Sequence, residues 1–115
     1  MQGIPTVDDV RAWLQVSPNA VSDESLDQIL LGELAIQARL LRIPEDPDPD
    51  TGEEATYPET LARALLRRCQ RNVATRQVPL GTLGLDGAEY APMAMPAWDA
   101  EISRLEASWL IPVIA

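Results

Sequence analysis

The residues of this chain with the greatest capacity for chemistry are the carboxylates between residues 45 and 56. Glu45 to Glu54 contains six acidic residues and no basic one, and alternating carboxylates are a ligand pattern that Ca²⁺ uses. Against the twelve-residue calcium loop, however, Thr51 stands where the sharp turn requires Gly, and Tyr57 stands where a bidentate Glu is required. We therefore expect no metal site, and we interpret the run as a solvated acidic loop between two helices.

Catalytic chemistry has few suitable residues in this sequence. There is no His, the commonest general acid–base group of enzymes. Cys69 lies on the apolar side of a predicted helix, where a thiol is more often a small buried hydrophobe than a nucleophile. Gly81, Gly84 and Gly87 form no phosphate-binding motif, because they follow no predicted strand. We expect no enzyme activity, no catalytic residue and no cofactor.

Three arginines are spaced so that they form a ridge on one helix. Arg63, Arg67 and Arg71 recur every four residues, which places their side chains on one face. Such a face is often simply solvated. It can also bind an acidic neighbour or DNA phosphates, and we predict the three residues as subunit–subunit or channel contacts.

Composition limits the partners and the compartment. The chain has 115 residues, a formal net charge of −9, and nine basic residues that are all Arg. This charge disfavours a general nucleic-acid binder, whose affinity depends on neutralising phosphates. A single Cys excludes an internal disulfide, and no run of residues is apolar for long enough to span a membrane. We expect one modest domain, assembled in the cytoplasm without a membrane partner.

Apolar periodicity predicts an all-α fold, a small bundle of about four helices around a long central helix. Thr6 and Asp9 are spaced as the capping signature of a short first helix. Ser22 or Asp23 begins a much longer second helix that runs to about Ile43. This helix is apolar around most of its circumference, which is typical of a helix packed on more than one side, so we predict it as the central one.

The third and fourth helices follow the acidic loop. The third begins after Pro58 and is predicted to end by Gln77, before Pro79. A short fourth helix is predicted from apolar residues at helical spacing near the C-terminus. The apolar residues that define these two helices are Leu61, Leu65, Leu66, Cys69 and Val73, and then Trp98, Ile102, Leu105 and Trp109.

The last third of the chain is predicted to be an interaction region. Residues 77–97 are rich in Pro, Gly and apolar residues without a helical period, and so long a connection is usually functional or disordered. We therefore divide the chain into a helical bundle, 1–76, with its acidic loop at 45–56, and a region of extended loop, short helix and C-terminal tail, 77–115. Aromatic residues and Met are favoured at interface cores. The predicted partner contacts are Tyr90, Met93, Met95, Trp98, Trp109, Leu110, Ile111, Val113 and Ile114.

Several segments of the chain resemble a known protein family. The segments are Val7–Leu14, the Tyr57-Pro58-Glu59 lead into Leu61–Arg68, the turn Ala74–Gly81, and Glu89-Tyr90 ahead of Pro96–Glu106. In this order they resemble the small head-to-tail connector proteins of long-tailed bacteriophages, also called adaptors or head-completion proteins. The resemblance extends over nearly the whole chain and includes no catalytic signature.

The resemblance implies a mostly α-helical structural protein of the virion neck. Such proteins form a dodecameric ring beneath the portal, extend the channel through which DNA leaves, and carry the downstream stopper or tail protein. Their C-terminal segments reach onto the portal protein, which would then be the partner of the contacts predicted above. The acidic surplus agrees with this role, because a channel for DNA should repel phosphates. The acidic loop matches no segment of the family, and the resemblance leaves open whether it faces the channel, the next copy or solvent.

Two alternatives remain open. A small DNA-binding regulator would use the arginine helix for recognition, although the net charge and the long loop before this helix disfavour it. Another neck protein, either the stopper or the tail terminator, would resemble a β-rich barrel. Duplex binding with a steep salt dependence would favour the regulator, and a circular dichroism spectrum dominated by strand would favour the other neck proteins.

Overall fold

Four α-helices make up the regular structure of the part of the chain that is described. The structure, a computed structural model, describes residues 1–81 and 99–112, and the side chains of 1–75 and 99–112. The predicted all-α class is confirmed for these residues. The elements are α1 (Val7–Leu14), α2 (Asp23–Leu40), α3 (Glu59–Gly81) and α4 (Ala100–Glu106), followed by the 3-10 turn Ala107–Trp109.

The first two helices begin where the sequence predicts. The Thr6 hydroxyl accepts from the Asp9 backbone N–H at 3.3 Å, and the Asp9 carboxylate accepts from the Thr6 N–H at 2.8 Å. Ser22 caps α2 by accepting from the Ser25 N–H at 3.2 Å. Each bond satisfies a backbone donor that the first turn of a helix leaves without an intrahelical partner.

An apolar core holds α1, α2 and α3 together. Leu65 and Cys69 of α3 are fully buried, as are Val10 of α1 and Leu26 of α2. Burying one Leu side chain contributes about 1.5–3 kcal/mol, and the predicted apolar stripe of α3 faces this core. The buried residues of the core are Val10, Leu26, Ile29, Leu30, Leu65, Cys69 and Val73.

The helix that packs against each of the others is α3, rather than the predicted α2. Although α2 buries Leu26, Ile29 and Leu30, Leu31 is 57% exposed and Leu40 is 42% exposed. The wide apolar surface of α2 is therefore only partly covered by the described residues. A helix wheel shows which residues are apolar, but it does not show how many sides a neighbour covers.

α2 ends at Leu40 and does not continue to Ile43. The Arg42 N–H donates to the Trp109 carbonyl at 2.7 Å, and the Ile111 N–H donates to the Leu40 carbonyl at 3.0 Å. Backbone hydrogen bonds to the C-terminal segment thus take the place of the last predicted turn of the helix. This pairing could not be predicted from the local sequence, because the two segments are far apart in the chain.

α3 continues to Gly81 and passes through Pro79. A proline inside a helix removes one backbone donor and crowds the preceding turn, and a helix can bend at such a residue instead of ending. The prediction that α3 ends by Gln77 is therefore wrong.

Candidate functional site

The predicted arginine ridge on α3 is divided by the packing of α4. Arg67 and Arg71 both face Asp99, the capping residue of α4, with distances from Nε to Oδ2 of 3.2 and 3.6 Å. The Asp99 side chain is only 5% exposed, so these contacts lie inside the junction of α3 and α4. Of the three ridge residues, only Arg63 is largely exposed. The three arginine side chains therefore do not form one solvent-exposed face.

Asp99 combines a helix cap with charge pairing. Its Oδ1 accepts from the Ile102 backbone N–H at 3.0 Å. Burial disfavours the charge of Asp99, but the Ile102 N–H, Arg67 and Arg71 together outweigh burial and hold the pKa of Asp99 below its ordinary value. Asp99 is therefore ionised at neutral pH, and it fixes the beginning of α4 against α3.

A buried carboxylate holds the other end of α4. Glu106 is 4% exposed and accepts two hydrogen bonds from Arg68, from Nε at 2.7 Å and from Nη2 at 2.6 Å. Bidentate arginine–carboxylate pairs are stronger and more directional than neutral hydrogen bonds. The hydrogen bonds to Glu106 raise the pKa of the Arg68 guanidinium. Glu33 of α2 lies 3.8 Å from Nη1 of the same guanidinium.

A buried glutamine joins this ion pair to α2. The Gln37 amide donates to Glu106 at 2.8 Å and to the Leu61 carbonyl at 3.1 Å, and its oxygen accepts from the Tyr57 hydroxyl. Burial, with the charge of Glu106, raises the pKa of Tyr57 to about 12, so this hydroxyl keeps its proton and donates. We call the following residues the polar seam: Gln37, Tyr57, Arg68, Asp99 and Glu106.

Sequence reasoning misses the polar seam, although one signal points to it. Gln37 falls three residues after Leu34 and four before Leu41, on the apolar side of α2. A polar group in such a position needs a buried partner. The partner cannot be identified from the sequence, because Glu106 lies 69 residues further along the chain.

The C-terminal segment is attached to the bundle at Trp109. The Trp109 indole N–H donates to the Thr60 hydroxyl at 3.2 Å. Its ring packs on a second apolar cluster, formed by Leu41, Tyr57 and Leu61. Trp109, which the sequence predicts both in the apolar period of the fourth helix and as a partner contact, therefore anchors the segment to its own chain.

Beyond this anchor, Leu110 and Ile111 face solvent. They are 52% and 47% exposed, and Leu40, which is bonded to this segment, is 42% exposed. Arg39 and Arg42 beside them are also exposed; these five residues form what we call the C-terminal surface. Exposed aliphatic groups with a charged rim are typical of a protein contact.

The remaining predicted partner contacts lie outside the described residues: Tyr90, Met93, Met95, Trp98, Val113 and Ile114.

A second open surface lies between the N-terminal segment, α1 and α3. It is a groove of about 450 Å³, which we call the α1 groove. The Trp13 side chain on its wall is 43% exposed, and its indole N–H donates to the Gln70 side chain at 3.1 Å. The residues that line the groove are Gly3, Pro5, Asp9, Ala12, Trp13, Ala62 and Leu66.

The acidic loop is attached to the beginning of the chain. The Met1 amine lies 2.6 Å from Asp46 and 2.8 Å from Glu54. These hydrogen bonds raise the pKa of the amine and lower the pKa of both carboxyl groups. Asp50 and Glu53 between them are exposed. Asp46 and Glu54 are themselves exposed, so the loop agrees with the interpretation of a solvated acidic loop, and its two ends are also paired with the Met1 amine.

The chemistry available to the described residues is limited. Burial, with the charge of Glu33, raises the pKa of the Cys69 thiol to about 12, so the reactive thiolate does not form at neutral pH. Within residues 1–75 and 99–112, no three His, Cys, Asp or Glu side chains are grouped so that they could hold a metal ion. None of the described helices is both long and apolar enough to cross a membrane.

Comparison of the chain with protein-family models, with curated proteins and with solved structures returned no match in any of the three.

Proposed function

We propose that this chain is a structural connector, or adaptor, of a tailed phage virion. In this proposal identical copies form a ring beneath the portal protein, which extends the DNA channel and provides the platform for the stopper or tail. The proposal rests on the resemblance of the sequence to that family and on the surfaces that the described residues present.

The observation that carries the proposal is the C-terminal surface. Trp109 fixes the segment to the bundle, yet Leu110 and Ile111 beyond it stay about half exposed. Exposed aliphatic side chains held on an ordered backbone contribute little to the stability of a single chain. Burial of this apolar surface against another protein would stabilise the complex by about 25 cal/mol for each Å². A preordered segment also loses less conformational entropy on binding.

The distribution of charge also supports a channel component over a DNA-binding regulator. The net charge of −9 repels phosphates, as the wall of a DNA channel should. Arg67 and Arg71 face Asp99, and Arg68 binds Glu106. These arginines are engaged within the chain, whereas a recognition helix needs basic side chains available for phosphates. A helical bundle also fits an adaptor better than the strand-rich stopper or terminator.

Native mass spectrometry over a concentration series, with and without duplex DNA, tests the proposal. We expect a closed ring of identical copies whose mass does not change when DNA is added. A small oligomer that captures duplex DNA would favour the regulator instead. The chain should also be detected by mass spectrometry in purified virions of the phage whose genome encodes it.

Truncation tests the C-terminal surface separately. A chain that ends at Trp109 keeps the anchor and loses residues 110–115. We expect this variant to keep its helical circular dichroism spectrum and to lose assembly into rings or particles. Deletion from Trp109 onward is the matched control, and we expect it to lower the thermal midpoint, because Trp109 packs on Tyr57 and Leu61.

A further inference from the structure

We propose that the C-terminal surface of one copy docks in the α1 groove of the next copy. Leu110 and Ile111 would enter the groove beside Trp13 and Leu66 of the neighbour. This inference rests on the proposed ring, since it names the contact that would join the copies. It assigns a second copy of this chain as the partner of Leu110 and Ile111, in place of the portal protein that the resemblance implies for these two residues.

The docking segment is already ordered in the shape that docking requires. Leu110 has φ −62° and ψ 137°, an extended conformation. The Ile111 N–H is bonded to the Leu40 carbonyl at 3.0 Å, and the preceding carbonyl, of Trp109, accepts from Arg42. Pro112 follows, which restricts the backbone further. The two aliphatic side chains are therefore presented on a fixed backbone, and this lowers the entropy lost on association.

The α1 groove has the composition and the size to receive these side chains. Pro5, Trp13 and Leu66 supply apolar walls, and the indole of Trp13 is held in place by its hydrogen bond to Gln70. A partly exposed, oriented Trp is the type of residue that anchors protein interfaces. The groove has a volume of about 450 Å³ and is open to solvent, so aliphatic side chains of a second chain can reach its apolar walls.

The charges around the two surfaces are complementary. Arg39 and Arg42 are exposed beside Leu110 and Ile111, whereas Asp8 and Asp9 are exposed in the first turn of α1, and Asp9 lines the groove. Docking would bring two positive charges to two negative ones. Pairs of this kind favour the correct register and disfavour contact between two copies of the same surface.

The two surfaces consist of different residues of the chain, so the proposed contact is head-to-tail. Ala62 and Leu66 of α3 line the groove, whereas Thr60 of α3 contacts Trp109 of the C-terminal segment. None of the residues that line the groove belongs to the C-terminal surface. A head-to-tail contact closes into a ring when its rotation allows, and otherwise forms an open filament.

Two single variants, each disabling one surface, test the inference by mixing. Ile111→Asp places a charge in the docking segment, and Ala12→Arg fills the groove from an exposed position of α1 with a good helix former. Each variant alone should be monomeric, with helicity unchanged by circular dichroism. Mixed in equal amounts they should form a heterodimer and nothing larger, because one intact groove and one intact segment remain. Ala20→Arg, at an exposed turn, is the control and should assemble as the unchanged chain does.

The outcomes separate this contact from the proposed function. Rings that persist in both single variants would overturn the contact while leaving the ring proposal standing. Monomeric variants whose mixture stays monomeric would overturn the head-to-tail geometry. An unchanged chain that stays monomeric at about 1 mM, far above a Kd expected for a specific interface, would also overturn the contact. Detection of that chain in virions would then still support a connector that the portal assembles.

Discussion

α3 is joined to its neighbours by two kinds of contact. On one side, Leu65 and Cys69 pack in an apolar core with α1 and α2. On the other side, α4 is held at its two ends by Asp99 and Glu106, through arginines of α3. One helix thus carries a purely apolar junction and a second junction in which ion pairs accompany the buried Ile102 and Leu105 of α4.

The difference between these junctions lies in how each responds to the loss of one group. An apolar core loses stability in proportion to the volume removed, and its neighbours relax partly into the space. A buried ion pair responds differently, because removing one partner leaves the other charged and desolvated. α4 has seven residues, which is too few for a helix that is stable by itself. Its position therefore depends on its contacts with the rest of the chain, which are the polar seam and the buried side chains of Ile102 and Leu105.

The largest expected effect comes from removing the charge at the centre of the polar seam. Glu106→Leu should lower the free energy of unfolding by about 3–5 kcal/mol, because the largely buried Arg68 loses its bidentate partner and keeps only the longer contact with Glu33 at 3.8 Å. Urea denaturation gives the change, and hydrogen exchange should show the amides of α4 opening first. Glu101→Gln is the control, since Glu101 forms an exposed pair with Arg104 that contributes less than about 1 kcal/mol.

Urea denaturation and hydrogen exchange of further variants compare the charged junction with the apolar one. Arg68→Met combined with Glu106→Leu should recover most of the lost stability, because both members of the bidentate pair are then removed together, while Glu33 keeps the hydrogen bond from Asn72 at 3.1 Å. Leu65→Ala in the apolar core should cost about 2–5 kcal/mol and lower protection across α1, α2 and α3 together. If the double variant is no more stable than Glu106→Leu alone, the cost of Glu106→Leu does not come from leaving Arg68 without its partner, and the two junctions respond alike.

A smaller effect is expected at the tyrosine of the polar seam. Tyr57→Phe should cost about 2 kcal/mol at pH 8, because the buried oxygen of Gln37 loses its donor. The pKa of Tyr57 is raised to about 12 in the folded chain, so its contribution is complete below the ordinary tyrosine pKa of about 10 and falls as the pH rises toward 12. Urea midpoints at pH 8 and pH 11 should therefore differ more for the unchanged chain than for Tyr57→Phe.

Asp99→Asn should cost less again, about 1 kcal/mol, because Asn also caps a helix and because Arg67 and Arg71, which are 31% and 21% exposed, remain partly hydrated when the attraction of Asp99 is lost. The pKa of Asp99 is lowered in the folded chain. Its contribution is therefore present above the ordinary aspartate pKa of about 4 and is lost as the pH falls through the lowered value. The difference in stability between the unchanged chain and the variant should shrink between pH 6 and pH 2.5. A constant difference would mean that the charge of Asp99 is not involved.

The smallest effect is expected at Arg63, the exposed residue of the predicted ridge. Arg63→Gln should change the free energy of unfolding by less than about 0.5 kcal/mol, whereas Arg67→Gln and Arg71→Gln should each cost more. Thermal denaturation of the three single variants provides the comparison. Equal effects at all three positions would restore the ridge as one uniform face.

The local sequence predicted most of the secondary structure of the described residues. The capping pair of Thr6 and Asp9, the cap at Ser22, and the apolar stripe of α3 act over three or four residues, so their spacing is sufficient to identify them. The end of α2 at Leu40 was not predictable in this way, because it depends on backbone bonds to Trp109 and Ile111.

The features of the candidate site can likewise be separated into those set by the local sequence and those set by the packing of the helices. The sequence by itself determined an acidic, helical chain with a surplus of apolar residues on α2 and in the C-terminal segment, since composition and periodicity are properties of local sequence. Only the tertiary structure decided that Arg67 and Arg71 face Asp99, that Gln37 binds Glu106, and that Leu110 and Ile111 stay exposed beyond Trp109. The physical reason is that charge pairing and burial depend on distance in space, and residues far apart in the chain become neighbours only after the helices pack.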